Sequence, residues 1–380
     1  MSAEAARSVY VHAPFCARRC VYCDFAVTVE RAPDARPWLR AVAAELALLE
    51  RAGEGPAERL DTLYVGGGTP SLLGADAMAG LAELLGTGRV DDPAIEWTAE
   101  ANPESLTREV AAGWAAAGVN RISLGAQSFS AAALRWMGRL HGPDGPRRAV
   151  DAAREAGITN LSVDLIFALP RHVERDWEAD LEAVLALDVP HVSLYGLTVE
   201  EGTPLHRQVL EGRARPAPEG RYREEYLRAA TVLSAAGYEH YEVSNFARPG
   251  HRSRHNAVYW SGRPYLGLGS GAHSYAPPTR RWNVRDWAAY EAALAEGRRP
   301  EDGRERVEGA AQRLERLWLA LRTSDGIAAD GLPPAAAELA RRWCGQGLAR
   351  ADGTRVRLTP EGWLVMDRLT LDLEGAFGEG

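Results

Sequence analysis

Lysine is absent from this 380-residue chain: all 44 basic residues are arginine, set against 52 acidic ones for a net charge of −8. The arginine monopoly reads first as coding bias in a GC-rich genome and only weakly as selection for bidentate contacts. The acidic balance and the want of a basic tract argue against broad nucleic-acid binding. Cysteine is scarce, four residues in all, which excludes a disulfide framework and leaves thiols available to a metal in a reducing compartment. No apolar run approaches the roughly 18–20 residues that span a bilayer. The opening MSAEAARSVYVHAPFC has no basic stretch leading into an apolar core. The expectation is a cytoplasmic protein with no transmembrane segment.

What is present is an alternation. Short β-branched runs, SVYVHAP, LDTLYVGGG, IEWTAEANP, NRISLGAQSF, NLSVDLIFALP and HVSLYGLTV, are separated by segments of helical period such as RPWLRAVAAELALLERAG and ERDWEADLEAVLALD. Two helices end in Ala-Gly before a β-branched run (AAGVNRISL, EAGITNLSV), the pattern of a glycine cap and re-entry into a strand. Strands alternating with helices imply right-handed crossovers and a parallel α/β sheet, either barrel-like or doubly wound. In such arrays ligand-binding residues gather at the carboxyl ends of the strands. The unusual residues fall there: the cysteines, the glycines of YVGGG, Glu100 and Asn102, Gln127 and Asp164.

The pattern defines three regions. Residues 1–235 carry the β/α array, and residues 236–304 form a connector rich in His and aromatics with little helical period, which extends it. Residues 305–380 read as helix, hairpin, strand and helix, a small winged-helix-like α+β module.

Three of the four cysteines, Cys16, Cys20 and Cys23, lie on one short loop after the first strand. A structural zinc would need a fourth ligand such as His12, and zinc usually takes two separated ligand pairs. Thiolate-only ligation from one loop favours an iron–sulfur cluster with one iron left open.

The C-x3-C-x2-C spacing, with Tyr22 before the last cysteine and YVGGGTPS closing the second strand, resembles the radical S-adenosylmethionine (SAM) superfamily. The likeness runs nearly end to end, through EANPE, RISLGAQSF, VDLIFALP, HVSLYGLTVEEGTPL and EVSNFARPGHRSRHNAVYW. It points to the group that holds the oxygen-independent coproporphyrinogen III oxidases and the related heme chaperones. That resemblance implies a partial (β/α)6 TIM-like barrel and a 4Fe–4S cluster on Cys16, Cys20 and Cys23, with SAM on the open iron. Tyr10 and Tyr22 would lie beside the cluster and SAM. Gly66, Gly67, Gly68 and Thr69 would hold the methionyl group, and Glu100, Gln127, Arg139 and Asp164 would line the SAM pocket. Singly, each has a plainer reading: a strand-end cap, a satisfied backbone group or a surface charge.

The oxidases carry a further cysteine two positions after the third, where this chain has Phe25, and a longer segment ahead of the cluster than the residues before Cys16. Both features favour the chaperone branch, as does HNAVYW (His255, Asn256, Tyr259, Trp260). The implied cargo is heme, with His255 as leading axial ligand and His273 and Cys344 behind it. The implied partners are acceptor hemoproteins of respiration, including those at the membrane, and no nucleic acid. The rival is the oxidase, whose tetracarboxylate substrate would call on arginines such as Arg248, Arg252 and Arg254.

Overall fold

In the computed structural model, which describes residues 5–378, a nine-stranded sheet organises the chain. Six parallel strands come first: β1 Ser8–Ala13, β2 Thr62–Gly67, β3 Glu96–Ala101, β4 Arg121–Gln127, β5 Asn160–Phe167 and β6 His191–Gly196. They lie side by side in chain order, each joined to the next by a helical crossover. Near-continuous apolar burial along them (Val9, Val11, Leu63, Val65, Ile122, Leu124) is what a parallel sheet under a helical coat requires. The sheet is a partial barrel, because β1 and β6 do not pair.

The region after residue 236 supplies the remaining strands of that sheet. β7 Glu239–Glu242 and β8 Asn245–Ala247 add antiparallel beyond β6, and β9 Leu266–Leu268 adds parallel on the free side of β1. A second sheet follows: β10 His273–Ala276, β11 Thr279–Asn283 and β12 Glu301–Arg306, all antiparallel. The sequence pattern suggested little helix here, yet helices occupy Arg254–Ser261 and Trp287–Ala295. Their signals are local: Ser253 accepts from Asn256 N at 3.3 Å, and Asp286 accepts from Ala289 N at 2.9 Å.

One buried carboxylate fastens β9 and its neighbours to the first crossover helix, Ala35–Arg51. Glu45 accepts from Gly269 N at 2.8 Å, Tyr290 Oη at 2.6 Å and Asn283 Nδ2 at 2.6 Å. Burial raises its pKa, and these three donors oppose that rise. The C-terminal module packs helices Gly309–Leu321, Pro334–Gly345 and Met366–Gly378 around the small antiparallel sheet of Ile327–Ala328, Arg355–Leu358 and Ala349–Ala351. That is the winged-helix-like arrangement expected, with its own core around Leu321, Trp343, Trp363 and Leu373.

Candidate functional site

At the carboxyl ends of β1–β6 a cavity of about 350 Å3 opens, lined by Cys16, Cys20 and Cys23 among others. The loop that carries them is a closed excursion. Phe15–Cys16 pairs in parallel with Thr28–Val29, and Thr28 N donates to Pro14 O at 2.7 Å. Its far side is tied down where Val21 N donates to Met137 O at 3.2 Å and Leu205 N donates to Val21 O at 2.7 Å. The thiols are free of disulfides and half-buried. Burial pushes the Cys16 thiol up to about 11 and raises Cys23 as well, so a metal is what would draw off their protons at neutral pH.

His12 does not serve as a fourth ligand. Its Nδ1 lies 2.9 Å from Tyr10 Oη and its Nε2 lies 2.8 Å from Ala26 O, so both ring nitrogens are engaged. Nor do three His, Cys, Asp or Glu side chains converge on a single ion among the described residues. A cubane, with its irons at separate corners, takes thiolates that are spread apart.

The glycines of YVGGG explain themselves by what crowds them. A Cβ on Gly67 (φ +104°) would sit 2.1 Å from the His12 ring, and one on Gly68 would meet the carbonyls of Phe15 and Ala13 at 2.6 and 2.7 Å. The amides are already committed: Gly67 N to Glu100 Oε2 (2.9 Å), Gly68 N to Ala13 O (2.8 Å) and Thr69 N to Phe15 O (2.7 Å). The turn therefore welds the end of β2 to the cysteine loop, and leaves Thr69 Oγ1 facing Cys16 Sγ at 3.4 Å.

Arg139 is delivered to the cavity by the helix Ala131–Met137, which stops at Gly138 in the left-handed region. Its guanidinium donates to Gly125 O at 2.6 Å, to Asn102 Oδ1 at 2.5 Å and to Cys20 Sγ at 3.6 Å. Asn102 in turn donates to Thr69 Oγ1 at 3.1 Å, closing a relay from the cation to the Gly-rich turn. Glu100 accepts from Tyr64 Oη at 2.7 Å, and Asp164 accepts from Ser123 Oγ at 3.2 Å. Burial raises the pKa of both carboxyls. Gln127 sits at a bulge in β4 with φ +69°, a strained backbone for a residue with a side chain.

Cys16, Cys20, Cys23, Tyr22, Gly67, Gly68, Thr69, Glu100, Gln127, Arg139 and Asp164 all line this one cavity. Gly66 lies just behind it, where a Cβ would press on Glu100 Cδ at 2.8 Å. Tyr10 faces an adjoining cavity. Asn102, Ser123 and Tyr195 also line the site. Strand alternation could have found Ser123, two residues before Gly125 and four before Gln127 on one face of β4. Two polar atoms of the wall, Gln127 Oε1 and Arg139 Nε, are buried without a partner. Such groups cost about 1–3 kcal/mol each when left unpaired, and a polar ligand in the cavity offsets that cost. The donor set and the orphaned atoms fit an iron–sulfur cluster with a polar organic ligand beside it.

His255 does not line this cavity. It lies at the opposite end of the barrel, 1% exposed, with Nδ1 2.8 Å from Thr62 Oγ1 and Nε2 2.9 Å from Tyr259 Oη. Its amide donates to Glu96 Oε1 at 2.9 Å. Both of its nitrogens are paired with side chains of the floor, and burial drives its pKa down to about 3.

A partial parallel β/α barrel with three loop thiols at its carboxyl mouth defines a radical SAM protein, and the Radical SAM superfamily model matches residues 10–184. Within that superfamily the chain belongs to the HemW family. It is 39% identical over 373 residues to the heme chaperone HemW of Mycobacterium tuberculosis, with 97% of this chain and 94% of that one covered. It is 33% identical over 375 residues to HemW of Bacillus subtilis, with 94% and 97% covered. Among solved structures the coproporphyrinogen III oxidase of Escherichia coli superposes with a TM-score of 0.79 over 97% of this chain and 89% of that one, at 21% identity, a likeness of fold.

Proposed function

We propose that this protein is a heme chaperone, which binds heme and passes it to acceptor hemoproteins while carrying a SAM-coordinated 4Fe–4S cluster. The observation that carries the reading is the 39% identity to a heme chaperone across 97% of the chain. Cys16, Cys20 and Cys23 would hold the cluster. Arg139, through Asn102 and Thr69, would set the turn beside SAM, with Tyr22, Glu100, Gln127 and Asp164 around it. When bound, the cluster and SAM together supply one-electron radical chemistry. The chain's own part is to seat them in a half-buried cavity and keep Arg139 charged beside Cys20, as the neighbouring thiols, Tyr22 and Glu104 favour.

The acceptors are respiratory hemoproteins met from the cytoplasm, including membrane-bound ones. No helix among the described residues is long and apolar enough to cross a membrane. Phe25, 56% exposed at the mouth, is the residue that separates this reading from that of an oxidase with a cysteine there. The test is an anaerobic titration of the reconstituted protein with heme, followed in the Soret region, beside an assay for coproporphyrinogen III decarboxylation with SAM and a reductant. Saturable heme binding without decarboxylation is expected. Turnover, or no heme binding, overturns the proposal.

A further inference from the structure

Beside the cluster cavity lies a second one of about 300 Å3, lined by Tyr10, Phe25, Tyr259, Tyr265 and His273 among others. The two share the wall formed by Asp24, Phe25, Gly67 and Glu100. On its outer side the second cavity meets a third of about 360 Å3, which shares Tyr259, Tyr265 and His273 and reaches Trp318 on the helix Gly309–Leu321. The shared residues make them adjoining parts of one slot, which runs from Tyr10 and Glu100 of the barrel to Trp318 of the C-terminal module. Each part is within the size range of small-molecule sites.

The slot has aromatic walls. Tyr259 and Tyr265 meet edge to face at 4.7 Å, and Trp282 stacks on His273 at 5.8 Å. His273 differs from His255 in the feature that matters for a metal. Its side chain is exposed, and its ring nitrogens make no hydrogen bond to any described residue. Burial and the nearby cations Arg280 and Arg285 lower its pKa, which favours the neutral imidazole and its lone pair.

The two arginines are not equivalent. Arg280 is already neutralised by Glu305 at 2.8 Å and Glu315 at 2.7 Å. Arg285 is exposed, lines the second cavity and donates to the Asp24 carbonyl, but forms no ion pair among the described residues. A fixed, uncompensated guanidinium beside an aromatic slot suits a carboxylate on a planar ligand.

Building on the chaperone reading, we propose that heme is carried in this slot, with His273 as axial ligand to the iron, the tyrosines against the porphyrin, and Arg285 paired with a propionate. The step is coordination alone: an imidazole nitrogen donates its lone pair to ferric iron, and no electron or proton is consumed.

The experiment titrates hemin into full-length, cluster-reconstituted wild type and the variants His273→Ala, His273→Cys, His255→Ala and Arg285→Ala, each checked for the cluster's visible absorption. His273→Ala should weaken heme at least tenfold, and His273→Cys should retain heme with a Soret band moved to that of thiolate ligation. Arg285→Ala should weaken hemin severalfold while leaving its dimethyl ester unaffected, and His255→Ala, which frees Tyr259, should keep the wild-type Soret position whatever its affinity. If His273→Ala binds heme with unchanged affinity and spectrum, the slot assignment falls while the chaperone reading stands. A Soret band in His255→Ala moved from the wild-type position, with an intact cluster, overturns it equally. Absence of saturable binding in the wild type removes the chaperone reading itself, and with it this site.

Discussion

The two ends of the same barrel put their polar residues to different uses. At the amino end His255 lies between Thr62 and Tyr259, while His191 lies between Ser162 (2.7 Å) and Tyr241 (2.8 Å), so that both imidazoles are fully paired and buried. At the carboxyl end the three thiols are free of disulfides, and Gln127 Oε1 and Arg139 Nε are left without protein partners. Residue type does not distinguish the ends, since histidine and carboxylate occur at both. Buried atoms without a partner occur at both, Arg121 Nε and Asn160 Oδ1 at the amino end among them; what distinguishes the carboxyl end is that its incomplete groups, Gln127 and Arg139, line an open cavity. A completed group contributes to stability; an incomplete one in a cavity is disposed to bind a ligand.

The strongest way to break this contrast is at the mouth. Cys16→Ala, Cys20→Ala or Cys23→Ala should each abolish the visible absorption of a reconstituted cluster while leaving the melting temperature of the metal-free chain nearly unchanged. A full cluster in any of them would remove the ligand assignment. The converse applies at the floor. His255→Ala leaves Thr62 Oγ1 and Tyr259 Oη unpaired and opens a buried cavity, so it should cost about 2–4 kcal/mol in urea unfolding. Cluster absorption should survive where the protein is folded.

A subtler probe sits between these extremes. Asn102→Ala cuts the link from Arg139 to Thr69 without touching a thiol. SAM affinity measured by calorimetry should drop about tenfold, the equivalent of ~1.4 kcal/mol, with cluster content unchanged. The smallest effect concerns Glu45, which belongs to neither end. Its folded pKa is raised, so the native state holds this proton more tightly than the unfolded chain does. The wild type is therefore favoured at acid pH and loses stability relative to Glu45→Gln as pH rises through the folded-state value. Paired unfolding curves at several pH values would show a difference that shrinks with pH; a difference that grows would reverse the assignment.

Much of the mouth was legible in the sequence because its signals are local. The cysteine spacing needs eight residues, and the Gly-rich turn and the strand ends are fixed by short-range patterns. The floor was not legible, because it is made by distant pairings. HNAVYW reads as a ligand motif until Thr62 and Glu96, 193 and 159 positions away, are seen to occupy His255. The helices at Arg254–Ser261 and Trp287–Ala295 escaped notice because they are little more than two turns long and set among aromatics, where the 3.6-residue period has no room to show. Glu45 was hidden for a related reason. On an amphipathic helix a glutamate suggests the solvent face, and only the return of residues 269–290 buries it.

That return sets the order in which the molecule can be completed. β1 is made well before β9, yet one of its edges is covered by β9, and the carboxylate that fastens β9 finds its donors at Gly269, Asn283 and Tyr290. Until Tyr290 has emerged, the nascent barrel presents a bare, apolar parallel edge, the kind of surface that pairs with other chains. The cysteine loop hangs from the end of that same strand. A chain interrupted before Tyr290 should therefore be prone to aggregate and poor at retaining iron, although every residue of the cluster mouth has already been made.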